Sequence, residues 1–388
     1  MTRLTVGMAV YDDFDGLYFT VQANRLLHED VLDDVEFLIL DNHPTGGSVT
    51  RSIQALAGHV PNGRYVPFGG YASTAVRDLV FREAAGQTVV CVDSHVLMLP
   101  GAVRALLDHF ADDPGSRDLV QGPMVSDSLT GRNKATHYVD SWGGGLWGQW
   151  ASDERGQDPD SAPFEIQMQG MGLFACRRDA WPGLNPRMRG HGGEEGYLHE
   201  KFRRAGGRVL CHPEVQWLHR CFHSHGLLYP AFWRDRARNY VLAFRELGWE
   251  TDGLRRHLHE LFDTTNPDLA EQIYTRALSE AANPYTIYDA VFCLHSDASR
   301  DGWTRARFAF AALGIDWLVE PILIPSSDDP ITTRALAEHA VIEAARRRGL
   351  TRILVLYDDE IPPPGSHPDQ GHGRVFDLTA DLRLQPAG

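Results

Sequence analysis

A chain of 388 residues is too long for one ordinary core, and 43% apolar with 23% charged side chains is too apolar for disorder, so two globular domains are expected. A formal net charge of −15 disfavours a nucleic-acid partner, because affinity for duplexes comes from basic side chains neutralising phosphates. No apolar run approaches the roughly 20 residues of a membrane span, and the N-terminal residues enter a strand-like run without a signal-peptide layout, so a cytoplasmic location is expected. Five cysteines, none in a CxxC pair, point to buried thiols.

The first half alternates short apolar strands (4–10, 35–40, 88–92 and a weaker 119–122) with helical patterns near 17–27, 49–57, 74–85 and 101–110. That alternation predicts a largely parallel α/β sheet covered on both faces. Ligands of such sheets gather at the carboxyl ends of the strands, which puts Tyr11-Asp12, Asp41-Asn42 and Asp93-Ser94-His95 around one crevice. Residues 140–169, Gly- and Trp-rich and then polar, read as a long irregular loop. The stretch 232–282 reads as charged helix, and a new α/β pattern begins near 285: strand 290–294, helices 303–313 and 332–348, strand 352–356. The expected domains are 1–230, a helical linker 231–284, and a small α/β domain 285–388.

Four constellations carry chemistry. Val89-Val-Cys-Val-Asp93-Ser94-His95 ends an apolar strand in an acid and an imidazole two residues apart, which point the same way in extended chain. The pair suits Mn²⁺ or a similar ion beside a diphosphate; a solvated strand-end Asp is the alternative. Gly192-Gly193-Glu194-Glu195 opens a helix with adjacent carboxylates, which serve either the helix dipole or a general base for an acceptor hydroxyl. Between 212 and 225 stand His212, His219, His223 and His225, with Arg220 able to meet a phosphate; a zinc cluster of the four histidines is the rival reading. Trp142-Gly-Gly-Gly-Leu-Trp147-Gly-Gln-Trp150 reads either as a stacking platform for sugar rings or as a loop pinned to the core.

In this order the motifs resemble the GT-A glycosyltransferases of family 2 and the related polypeptide GalNAc-transferases, over about residues 1–245. The resemblance implies a Rossmann-like nucleotide-diphospho-sugar transferase domain that uses Mn²⁺ (or Mg²⁺). Asp93-Ser94-His95 matches the DxH form of the family's metal motif, and His219 stands where these enzymes carry a third ligand. Asp41 looks like the acid that holds the donor's uridine. Arg77, in a segment similar to the Gly-rich turn and helix before the metal strand, is implied to face the nucleotide. Val10, Tyr11, Ser94 and Arg220 complete the implied donor contacts, with Arg236 or Arg238 covering the diphosphate. Gly192-Gly193-Glu194-Glu195 resembles the GGED or GGEN signature, which implies Glu195 as base and Glu194 as an acceptor partner, with inversion favoured over retention. The implied partners are a nucleotide-sugar donor and a glycan, protein or small-molecule acceptor; self-association stays open.

From about 285 the chain more weakly resembles glycosyltransferase family 25, with Glu338-His339 and Leu356-Tyr357-Asp358-Asp359 at the motif positions. The segment reads as a truncated, non-catalytic module. Three rivals remain: a transferase acting on modified bases in viral DNA, a carbohydrate-binding protein on a degenerate transferase fold, and a His-rich metallohydrolase.

Overall fold

Leu-Thr-Val-Gly-Met-Ala-Val is apolar at almost every position, so the first strand is stable only where helices cover both its faces, and that is where it lies. In the computed structural model, which describes residues 3–126, 134–220, 229–262, 266–296, 300–325 and 329–379, the chain divides into two units. One comprises Met1–Leu184 and Gly190–Tyr274; the other comprises Asn185–Arg189 and Thr275–Gly388.

The first unit opens with β1 (Leu4–Val10), α1 (Phe14–Leu27), β2 (Val35–Asp41), α2 (Ser48–His59), β3 (Gly63–Pro67), α3 (Arg77–Glu83) and β4 (Thr88–Asp93). Then come β5 (Val96–Met98), α4 (Ala102–Asp112), β6 (Leu119–Gln121), β7 (Met124–Val125), β8 (His137–Gly143), β9 (Leu146–Ala151), β10 (Phe164–Glu165) and β11 (Leu173–Arg177). It closes with α5 (Glu195–Arg204), β12 (Val209–Cys211), β13 (Trp217–His219), α6 (Trp233–Leu247) and α7 (Asp252–Phe262); α8 (Pro267–Ala281) runs across the unit boundary in sequence.

Eight strands form a mixed sheet in the order β10-β12-β6-β11-β4-β1-β2-β3. β1 pairs parallel with both β2 and β4, so Val10, Asp41 and Asp93 end side by side as the crevice rule requires. β3 escapes the sequence pattern because Gly-Arg-Tyr-Val-Pro is a half-buried edge strand without a long apolar run. A second, small sheet of order β5-β13-β7 stands beside the tip of β4. It is anchored by Trp217, which is buried and donates from Nε1 to the Gly122 carbonyl at 2.7 Å.

The irregular loop expected over 140–169 is corrected in its first part. Residues 137–151 form an antiparallel hairpin, β8 on β9, turned by Gly144 and Gly145 at positive φ. Gly145 has no room for a side chain: a Cβ there would lie 2.0 Å from the Trp233 ring. Trp142 and Trp147 are half-buried against Tyr240, Phe244 and Trp249, so the tryptophans are packed on helices rather than carried on a flexible loop.

The second unit contains β14 (Ala290–Ser296), α9 (Arg300–Leu313), β15 (Val319–Ile324), α10 (Pro330–Arg347), β16 (Arg352–Tyr357) and β17 (Arg374–Asp377), in a sheet of order β15-β14-β16-β17. β15 and β17 go beyond the strands expected from sequence. Glu338, at the family 25 motif position, accepts from Tyr357 and Arg374, and Asp359 pairs with Arg334. Cys91, Cys176, Cys211 and Cys293 are buried free thiols, and Cys221 lies outside the described residues. No described helix is long and apolar enough to cross a membrane.

Candidate active site

β4 ends on Asp93, and a short turn through Ser94 and His95 leads into β5. β13 then pairs antiparallel with β5, setting His219 opposite Val96, while the Arg220 amide donates to the His95 carbonyl at 3.1 Å. This register carries an imidazole from more than a hundred residues away to the strand tip. The rings of His95 and His219 stand nearly perpendicular with centroids 4.8 Å apart, and His219 Nε2 is 3.6 Å from Asp93 Oδ2. One ligand atom from each of Asp93, His95 and His219 lies within 4.8 Å of the others, a group able to hold a metal ion.

Asp13 is a site residue that the sequence reading missed. Asp12 takes φ 54°, a left-handed conformation that Asp tolerates, and this turns the chain from β1 into the N-cap of α1. Asp13 Oδ1 accepts from the Gly16 amide at 3.0 Å, which satisfies the helix end. Its Oδ2 faces Ser94 Oγ at 2.9 Å and His95 Nδ1 at 3.1 Å. A carboxylate at Nδ1 fixes the imidazole with its proton there and leaves Nε2 as the lone-pair atom. Asp-Asp-Phe-Asp before a helix advertised a cap; nothing in the sequence joined that cap to His95.

Across the cavity, Gly192 and Gly193 have φ of 92° and 96°, and both lie hard against α6. A Cβ on Gly193 would come 2.8 Å from that of Asn239. The two glycines therefore seat Glu194 and Glu195 at the start of α5, where both carboxylates are buried. Arg77, also buried, ties the two halves of the site together, with Nη1 3.1 Å from Glu194 Oε1 and Nη2 2.5 Å from Asp93 Oδ1. Its guanidinium is thus held by two acids of the site, a placement that the sequence did not foreshadow. Although desolvation pushes the other way, the charge of Arg77 and the hydrogen bond from His219 hold the Asp93 carboxyl well below the usual range. Glu195 moves oppositely: burial, then the charge of Glu194, raises it from 4.5 to about 7. Glu194 Oε2 and Glu195 Oε2 have no hydrogen-bond partner.

These groups face one cavity of about 400 Å³. Val10, Tyr11, Arg77, Ser94 and both glutamates line it with the three metal-capable residues. So do His191 and Tyr229, which the sequence reading gave no role. The Tyr229 hydroxyl is buried without a partner, and burial lowers the pKa of His191, which favours its neutral form.

Asp41 is not among the lining residues. Its two oxygens accept from the His43 amide and the Tyr65 hydroxyl, each at 2.9 Å, and its neighbour Asn42 lines the cavity instead. Arg238 is fully buried on Asp235 at 2.8 Å, which corrects the expectation that it reaches a diphosphate. Arg220 stays close, 3.6 Å from Asp13 Oδ1, and Arg236 donates to the His191 and Gly145 carbonyls. His212 packs edge-on against His109, away from any described metal-capable group, while His223 and His225 lie outside the described residues.

No protein-family model matches the chain, and no curated protein matches it in sequence. Among solved structures it is distantly similar to a crystal structure of GalNAc-T7 with UDP, GalNAc and Mn²⁺, at 14% identity and a TM-score of 0.49. The match covers 74% of this chain and 58% of that one. A likeness at this level carries no weight by itself; the geometry of the cavity carries the functional reading.

Proposed function

We propose that the protein is a metal-dependent glycosyltransferase that moves a sugar from a nucleoside-diphosphate donor, UDP-linked first among those to try, to an acceptor hydroxyl with inversion. The observation that carries this reading is the pairing, across one cavity, of an Asp93–His95–His219 group with a buried glutamate whose pKa is near 7. Two imidazoles among three ligands suit Mn²⁺ better than Mg²⁺, which prefers oxygen alone. When bound, the divalent ion neutralises charge on the leaving diphosphate.

The residues of the chain supply the rest. Tyr11 and Asn42 line the nucleotide side of the cavity, at the strand ends. Asp13 engages His95 at Nδ1 and so leaves Nε2 for an ion, and Arg77 keeps Asp93 ionised. Glu195 takes the acceptor proton as the hydroxyl oxygen bonds to the anomeric carbon and the bond to the diphosphate oxygen breaks. Three carboxylates and one guanidinium line the cavity around Trp142 and Trp147, a sign that favours a glycan or protein acceptor over DNA.

The test is donor turnover. Wild-type protein with Mn²⁺ should cleave or transfer from at least one of UDP-, GDP- or TDP-sugars, and Asp93→Asn should lose the Mn²⁺-stimulated part. Equal turnover with and without Asp93 would remove the assignment. The Arg77–Asp93 pair favours one rival, because an arginine already neutralises that acid as a cation would. A non-catalytic binding protein predicts no Mn²⁺ uptake by the site.

The role of Asp13 has its own measurement. Asp13→Asn keeps a good N-cap but removes the charge at His95 Nδ1, and Mn²⁺ affinity by calorimetry should fall by about 10–100-fold. An unchanged affinity would mean that His95 needs no such orienting.

A further inference from the structure

On the other face of the hairpin lies a second cavity of about 350 Å³, walled by Trp142, Trp147, Trp249 and Phe244. The ring planes of Trp147 and Trp249 meet at 84° with centroids 5.4 Å apart, forming an aromatic corner, and Trp142 lies 6.4 Å from Trp147 at 29°. Asp140, Gln167, Glu200 and Glu250 supply polar atoms around these rings. We propose that this cavity is a saccharide subsite that stacks a neutral sugar ring on its tryptophans.

The polar groups select the ligand. A cage for a cation needs carboxylates left to face it. Here Asp140 accepts from Trp147 Nε1 at 2.6 Å, and Glu200 is held by Arg204 at 2.9 Å. Arg203 and Arg204 offset Glu200, while Asp140 and Glu250 leave the lining mildly acidic, and each carboxylate keeps lone pairs for hydroxyl donors. Indole faces cover the C–H side of a pyranose while carboxylate and amide oxygens take its hydroxyls. Gly196 is part of the same construction, since a Cβ there would stand 2.2 Å from the Trp147 ring and displace it.

The two cavities share their walls. Along β9, Leu146 and Trp150 line the first cavity while Trp147, between them in the alternation, lines the second. Along α5, Glu195 belongs to the first, and Gly196 and Glu200 to the second. Sugar binding at the second cavity is independent of any reaction. Its assignment as the anchor of a glycan acceptor, whose other end meets Glu195, rests on the transferase reading.

The experiment is equilibrium binding of neutral trisaccharides of glucose, galactose and N-acetylglucosamine to the full chain, without donor or metal. Wild type should bind at least one of them at millimolar concentration. Trp249→Ala should weaken it by about tenfold, the equivalent of one lost ring contact. Trp249→Phe, which keeps part of the face, serves if the alanine variant does not fold, and should weaken it less. The proposal is overturned if none of the trisaccharides binds, if both Trp249 variants bind like wild type, or if tetramethylammonium binds there in place of sugar. Sugar binding without donor turnover would leave the subsite standing and remove the transferase reading; turnover without sugar binding would do the reverse.

Discussion

Glu195→Gln should lower kcat by about two to four orders of magnitude while leaving Mn²⁺ affinity close to wild type, because it removes a base and not a ligand. The pH profile separates this from a packing effect. In wild type, turnover should rise with pH through about 7 as Glu195 loses its proton, and the glutamine variant should lack that limb. Stability should move the opposite way. From 4.5 to about 7 the folded protein holds a proton on Glu195 that the unfolded chain has released, so stability falls as pH rises across that window. The glutamine variant carries no such slope and should be the more stable protein above pH 7. A variant that kept wild-type kcat, or one with an unchanged ascending limb, would take the base assignment away from Glu195.

The second large effect concerns folding. Arg77→Met keeps an unbranched apolar stem but strips the cation from between Asp93 and Glu194. Removing one partner of a buried ion pair costs about 3–5 kcal/mol, since the remaining charge is left uncompensated, and here two carboxylates lose the same guanidinium. Urea unfolding without metal should show that loss. Mn²⁺ should then restore more stability to the variant than it adds to wild type, because Asp93 again gains a positive neighbour. A loss below about 1 kcal/mol, in the range of exposed pairs, would show that Arg77 is not what keeps these acids ionised.

The elements that position the site were largely legible from sequence. β1, β2 and β4 are continuous apolar runs ending in polar residues, and that pattern alone places Tyr11, Asp41 and Asp93 at one edge. His219 was legible for a different reason: it closes a short strand, and a strand so close to Arg220 and the histidines invited comparison with a known ligand set. Three features were not legible. Asp13 works through space, and its sequence context speaks only of a helix cap. Arg77 sits in a helix whose pattern gives its burial no sign, because the acids that compensate it come from 16 and 117 positions away. The hairpin of residues 137–151 hid behind its glycines, which read as looseness; in the fold two of them, Gly145 beside Trp233 and Gly148 beside Tyr138, are places where only a hydrogen fits between backbone and ring. Asp41 was legible as a strand-end acid, but not as one engaged by Tyr65 from the edge strand that the pattern left out.

The small sheet beside the tip of β4 has a consequence for how the site behaves before it meets any substrate. β5 and β13 are three residues each, too short to be self-sufficient, and they hold His219 near Asp93 chiefly through Trp217 and a few ladder bonds. On the proposed reading, an ion clasped by residues 93, 95 and 219 would act as a rivet through that ladder. At a hundred times its dissociation constant it adds about 2.7 kcal/mol against the opening that separates them. Readiness for the proposed reaction and local rigidity would then be one property, set by how much metal is at hand.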